Sequence, residues 1–224
     1  MQKAVLFDCD GVLVDSEILL IKQDIKYLAD ELDLVYEMDN FKHRFLGMTG
    51  PDYFASLSSD HEAKHGSPLT EELFKQMHSN AVEMLKEKLE AVRDIEDVVK
   101  SISCPMAVAS SSHYEWLKEK MRMTGLKDYF GEHIYSGDFV EHGKPAPDIF
   151  LYTADKLGIE PANCIVIEDS PNGIKSGMGA GMITIGFTGG LHGDDYLANA
   201  LKDTGADYVV KTADELSDVI GGLV

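Results

Sequence analysis

The sequence predicts an α/β fold: a three-layer, doubly wound, Rossmann-like parallel sheet, interrupted after its first strand by a helical insertion. From residue 95 onward, short continuous apolar runs, the pattern of strands buried on both faces, alternate with helical stretches. Residues 17–88 carry only helical periodicity and no strand signal. Two of the apolar runs, the first and a late one, end in carboxylates. In an open parallel sheet the carboxyl ends of strands are where ligands sit.

Ala4-Val5-Leu6-Phe7 is the first strand, and Asp8-Cys9-Asp10-Gly11 leaves it. Ile18, Ile21, Ile25, Leu28 and Leu32 then recur at steps of three and four behind Ser16, a candidate N-cap. Helical fragments are expected around 40–46 and 53–65, separated by a turn over Gly47-Met48-Thr49-Gly50-Pro51. Thr70 caps a long helix with Leu73, Met77, Ala81, Met84 and Leu85 at helical spacing; its methionines are expected to pack between insertion and sheet. The domains are therefore 1–15 with 89–224, and the inserted 16–88.

In the second part, 95–103 reads as a helix and Pro105–Ala109 as a strand ending in Ser110-Ser111-Ser112. A helix over 113–124 stops at Gly125, and 133–136 is a short strand. Pro147 at position N1 and Gly158 after the last turn bracket the next helix. Cys164–Ile167 is a strand ending in Glu168-Asp169, with Ser170-Pro171 capping a helix. Strands at 182–187 and 207–210 and a helix over 213–220 close the chain. Gly177-Met178-Gly179-Ala180-Gly181 follows a helix and precedes a strand, the reverse of a dinucleotide loop, so close helix–sheet packing is expected there. Gly189–Gly193 reads as a loop without an assigned role.

The 224 residues, 44% of them hydrophobic, can bury a sizeable core. A net charge of −19 excludes nucleic acid and anionic membrane surfaces as partners, because both need clustered Lys and Arg. The three cysteines, Cys9, Cys104 and Cys164, lie in or beside strand-like runs and read as reduced core residues. There is no leader-like stretch and no apolar run long enough to cross a bilayer, so a cytoplasmic protein is expected; a monomer is compatible with the sequence.

If the strands are neighbours, Asp8, Asp10, Ser110, Lys144, Glu168 and Asp169 converge at one sheet edge. Carboxylates there suit Mg²⁺, a hard cation that takes oxygen ligands. A lysine and a hydroxyl beside them suit a phosphoryl group, whose transfer depends on positioning and charge neutralisation. His113, next to the Ser110 loop, reads as a residue at a helix start.

The stretch from Asp8 to Ser16, the Ser110 strand end, Lys144-Pro145-Ala146-Pro147-Asp148 and Glu168-Asp169-Ser170 resemble, in order, the four motifs of the haloacid dehalogenase-like superfamily. The closest likeness is to the β-phosphoglucomutase-like phosphatases, with 16–88 resembling their mobile helical cap. The resemblance implies that Asp8 is a nucleophile and Asp10 a general acid and base. It implies Mg²⁺ held by Asp8, the main-chain carbonyl of Asp10 and Asp169, with Glu168 in support, and phosphoryl oxygens bound by Ser110, Ser111 and Lys144. An Asp at position 10 favours phosphate esters over the dehalogenase and phosphonatase chemistries of that superfamily. The mutases hold a second phosphate with an arginine in a cap turn, and the matching turn here, from Gly47 to Gly50, has none; a cap-helix histidine of theirs falls at Leu19–Leu20. His43, Arg44 and Gly47 are the candidates for reading the rest of the substrate. The expected function is Mg²⁺-dependent hydrolysis of a small phosphorylated metabolite, a sugar or sugar-acid phosphate. The alternatives are a sugar phosphate mutase and a catalytically silent metabolite-binding module.

Overall fold

Asp8 leaves the central strand pair of a single parallel sheet. The computed structural model describes residues 2–45, 48, 50–190 and 193–224, with the backbone alone over 80–83. The strands are β1 (Ala4–Phe7), β2 (Met106–Ser110), β3 (Ile134–Ser136), β4 (Cys164–Glu168), β5 (Ile183–Phe187) and β6 (Tyr208–Val210). Their order is β3-β2-β1-β4-β5-β6, every pairing parallel. Chain order runs outward one way from β1 and the other way from β4, so the topological switch lies between them, where such sheets bind ligands.

The helices are α1 (Ser16–Leu32), α2 (Met38–Phe45), α3 (Gly50–His65), α4 (Glu71–Lys88), α5 (Ile95–Ser101), α6 (Tyr114–Met123), α7 (Lys127–Phe130), α8 (Asp148–Leu157), α9 (Pro171–Gly179), α10 (Asp195–Thr204) and α11 (Ala213–Leu223). Two compact units result: one runs to Asp15 and resumes over Leu89–Val224, and the other is Ser16–Lys88. Among the described residues no helix is long and apolar enough to cross a membrane.

In the sheet unit, all four residues of β1 are fully buried. Alternation along a strand sends successive side chains to opposite faces. Leu6 joins Ala107, Phe150 of α8 and Val166 in one cluster, while Phe7 meets the ring of Phe130 in α7 edge-on at 5.7 Å. Helices therefore cover both faces. A Cβ at Gly177 of α9 would come within 2.8 Å of the Thr184 side chain in β5, which is the close packing expected of that glycine-rich stretch.

The helical unit has a core of its own, in which Ile21, Leu28 and Leu32 of α1 join Phe41 and Phe45 of α2, Leu57 of α3 and Met77 of α4. Met77 thus packs inside this unit, contrary to the expectation that the α4 methionines fill space between insertion and sheet. Gly50 and Pro51, expected in a turn, are the first two residues of α3, where Pro costs no hydrogen bond. Gly47 and Thr49 of that turn lie outside the described residues.

Other differences are local. Pro147 is the N-cap of α8, not N1. Cys9 and Cys164 are buried, but Cys104 is half-buried at a strand entrance and not in the core. Helix α10, unassigned from the sequence, has clear signals: Asp194 accepts from Leu197 N, Leu197, Ala198 and Leu201 are buried, and Gly205 ends it with φ +108°.

Candidate active site

Parallel pairing brings the strand ends level. Phe7 pairs with Val108 on one side and Ile167 on the other, and Asp8 N donates to Ile167 O. Asp8, Ser110 and Glu168 therefore emerge at one edge from adjacent strands. Lys144 comes to them from the loop before α8. Its Nζ donates to Asp8 Oδ1 at 2.5 Å, Glu168 Oε1 at 2.6 Å and Ala109 O at 2.9 Å, which uses all three of its protons. All three charged side chains are at least nine-tenths buried.

Glu168 is held on its other oxygen as well. Oε2 accepts from Asp169 N, Ser170 N and Ser170 Oγ at 3.0–3.1 Å, and Ser170 Oγ in turn caps α9 by accepting from Gly173 N. The first turn of α9 lies so close that a Cβ on Gly173 would fall 1.8 Å from Glu168 Cδ. Glycine there is a requirement of the site.

Burial pushes the Asp8 carboxyl up to about 7; Lys144 pulls it down, while Glu168 and Asp10 push it further up. Burial likewise raises Glu168, against Lys144. Burial alone would lower the Lys144 ammonium, but Asp8 and Glu168 outweigh it and hold it above its ordinary range. Ligand oxygens of Asp8, Glu168 and Asp169 lie within 4.8 Å of one another, all buried. Three carboxylates face one ammonium, an excess of negative charge that a divalent cation would offset. An all-oxygen donor set suits a hard one.

Asp10 takes a different direction. Its carboxylate accepts from Lys120 Nζ on both oxygens, at 2.6 Å on Oδ1, and from Ser112 Oγ at 2.8 Å on Oδ2. The side chain of Asp10 is thus turned to Lys120 and Ser112, and any share in a metal would fall to its main-chain carbonyl. Neither Lys120 nor Ser112 was identified from the sequence. The available signal was a lysine on an apolar helix face, three residues after Leu117 and beside Met121, both fully buried.

Ser110 is buried, and its Oγ accepts from Ser112 N at 3.1 Å, which shapes the loop; Ser111 is exposed beside it. His113 is the N-cap residue of α6 and pairs with Asp138 at 2.9 Å.

The helical unit, Ser16–Lys88, carries His43 and Arg44. Arg44 forms a two-pronged pair with Asp60, at 2.7 and 2.8 Å, and donates to Ser56 Oγ at 3.0 Å. An anion reaching this guanidinium would compete with Asp60. His43 is exposed on the same helix, and Gly47 lies outside the described residues. A cavity of about 350 Å³ within this unit is lined by Glu17, Leu20, Asp24, Phe45, Tyr53 and His78 among others, with no Lys or Arg among the described lining residues. Tyr53 Oη donates to Asp24 Oδ2 at 2.8 Å. Burial pushes Asp24 up to about 6, with Tyr53 and His78 acting against it.

Residues 2–181 match the family model of the haloacid dehalogenase-like hydrolases. The chain is 30% identical over 219 residues to a phosphorylated carbohydrates phosphatase of Thermotoga maritima, covering 96% of this chain and 97% of that one. It is 26% identical over 190 residues to the 6-phosphogluconate phosphatase of Escherichia coli, covering 85% and 84%. The crystal structure of a conserved haloacid dehalogenase-like protein of unknown function from Agrobacterium tumefaciens superposes with a TM-score of 0.90 at 32% identity, over 99% of each chain.

Proposed function

The chain belongs to the haloacid dehalogenase-like hydrolases, and we propose that it is a phosphatase that hydrolyses a small phosphorylated sugar or polyol with Mg²⁺, through an aspartyl-phosphate on Asp8. The observation that carries the reading is Asp8 itself, buried at a sheet edge with a lysine on one oxygen and two more carboxylates within metal-ligand reach. An Asp8 oxygen attacks phosphorus as the bond to the leaving oxygen breaks, and Asp10 gives that oxygen its proton. Asp10 then takes a proton from water as the water oxygen attacks phosphorus and the bond to Asp8 breaks, which releases phosphate and restores both carboxyls. Ser110 binds a phosphoryl oxygen through its hydroxyl proton, with Ser111 at the rim, while Lys144, whose three protons are already placed on Asp8, Glu168 and Ala109, contributes its positive charge to the phosphoryl group. Held by Asp8, Asp169 and the Asp10 carbonyl, Mg²⁺ would neutralise phosphoryl charge.

In this reading the helical unit is the part that selects among esters. Glu17 and Asp24 line its cavity, with no Lys or Arg among the described lining residues, which supports a neutral polyhydroxy leaving group. A sugar-acid phosphate, like the substrate in the name of the E. coli relative, would bring a second anion to that acidic lining.

Phosphate release from hexose, hexitol and sugar-acid phosphates, with and without Mg²⁺, tests the reading. Turnover is expected on neutral esters with Mg²⁺ and not in the Asp8→Asn variant. Isomerisation of hexose phosphates without phosphate release identifies a mutase instead, and no turnover on any ester leaves a binding module.

A further inference from the structure

The buried lysine of α6 is not explained by the fold. Lys120 has a side chain 2% exposed, between Leu117 and Met121, which are fully buried. A leucine or methionine would occupy such a place without the cost of burying an ammonium. The three protons of Nζ go to Asp10 Oδ1 at 2.6 Å, Asp10 Oδ2 and Ser112 Oγ at 2.8 Å. Ser112 Oγ in turn donates a hydrogen bond to Asp10 Oδ2 at 2.8 Å. Every donor of this ammonium is therefore directed at Asp10 or at the hydroxyl that also holds Asp10.

The loop that carries Asp10 is stitched without Lys120. Gly11 N donates to Val14 O at 2.8 Å, and Leu13 N and Val14 N donate to Cys9 O at 2.9 and 3.0 Å. What Lys120 holds is the carboxylate, whose side chain keeps 22% of its surface exposed. Lys144 is committed to Asp8, Glu168 and Ala109. Each of the two aspartates thus has its own lysine, Lys120 from α6 and Lys144 from the loop before α8.

We propose that Lys120 is a positioning residue of the reaction: with Ser112 it fixes the direction in which the Asp10 carboxyl faces the leaving oxygen. The inference rests on the phosphatase reading above, in which Asp10 transfers that proton. An aspartate with two free torsions spends part of its time turned away, and a proton transfer is sensitive to such misplacement. A clamp on both oxygens and a hydroxyl on one removes that freedom.

The test separates leaving groups. The value of kcat/KM reports events up to departure of the leaving group. An alkyl phosphate needs a proton on its leaving oxygen, whereas a nitrophenyl phosphate departs without one. In Lys120→Met, kcat/KM is expected to fall about 10- to 100-fold on the alkyl ester and less than about threefold on the aryl ester. Lys118→Met, on the same helix and paired with Glu115, is expected to leave both unchanged. Equal losses on the two esters overturn the proposal, because a disturbed fold would not distinguish them. The cycle with Asp10→Asn gives a second readout that also survives if the single variant does not fold. Adding Lys120→Met to Asp10→Asn is expected to change aryl kcat/KM by no more than about twofold, and a further large fall overturns the proposal. A wild-type enzyme inactive on both esters overturns the phosphatase reading and this inference together; an active wild type with equal losses overturns this inference alone.

Discussion

Lys144 Nζ lies 2.5 Å from Asp8 Oδ1 across 136 residues of chain. The same ammonium reaches Glu168 Oε1 at 2.6 Å, so one cation bridges the ends of two adjacent central strands. The ring of Phe150 stands 4.8 Å from Nζ on another side. The lysine is a structural member of the site before any substrate arrives.

Removing it should therefore cost both stability and turnover. Lys144→Met leaves Asp8 and Glu168 buried against each other, and losing one partner of a buried pair typically costs about 3–5 kcal/mol. Chemical denaturation of the metal-free protein measures this. A variant as stable as wild type would mean that the ammonium is not what holds these carboxylates together.

Stability of the metal-free protein should fall as pH rises toward neutrality, and Asp8 is one reason. Its carboxyl is raised from 3.8 to about 7, so the folded state binds that proton more tightly than the unfolded chain. The associated stability is complete below the ordinary value and is lost as pH passes through about 7. Asp8→Asn should raise the Tm of EDTA-treated protein at pH 8 (about one unit above that value) and change it little at low pH. Mg²⁺ should raise the wild-type Tm at the higher pH, by mass action on the folded state, and do so less in the variant.

Gly173→Ala places a methyl 1.8 Å from Glu168 Cδ, a carboxylate already fixed by two backbone N–H groups and by Lys144. Overpacking of this kind costs about 1–3 kcal/mol or more, and the displaced Glu168 should weaken Mg²⁺-dependent turnover. Gly221→Ala is the control. Nothing lies within 4 Å of its Cβ position in helix α11, and Ala there should stabilise by about 0.5–1 kcal/mol. Similar Tm changes in the two variants would contradict the packing account.

Asp24→Asn in the helical unit should stabilise the protein at pH 8 and not at pH 4 (values about two units above and below the Asp24 carboxyl). Burial raises the Asp24 carboxyl from 3.8 to about 6, so its ionised form is penalised above that pH. The penalty is on the order of 2–3 kcal/mol. Asparagine keeps an oxygen for the Tyr53 hydroxyl and removes the charge. Thermal denaturation across pH measures the difference, which should grow between the two ends.

The sequence by itself determined the alternation of elements and the chemistry at the strand ends. Those features are written locally: an apolar run at Ala4–Phe7, Asp8 and Asp10 two residues apart, a helical period over 18–32, Ser170 before Pro171. Each is read within a few residues, and a parallel sheet then brings Asp8, Ser110 and Glu168 to one edge whenever their strands are neighbours. Only the tertiary structure decided which charge meets which. Lys120 reaches Asp10 across 110 residues, Arg44 is committed to Asp60 across 16, and Gly173 is compelled by a carboxylate on the preceding strand. No periodicity records such pairings, because they depend on strand order and on the depth of a helix face. The two aspartates could be read as a pair from their spacing, but their separation between two lysines is a property of the folded sheet and the helix that covers it.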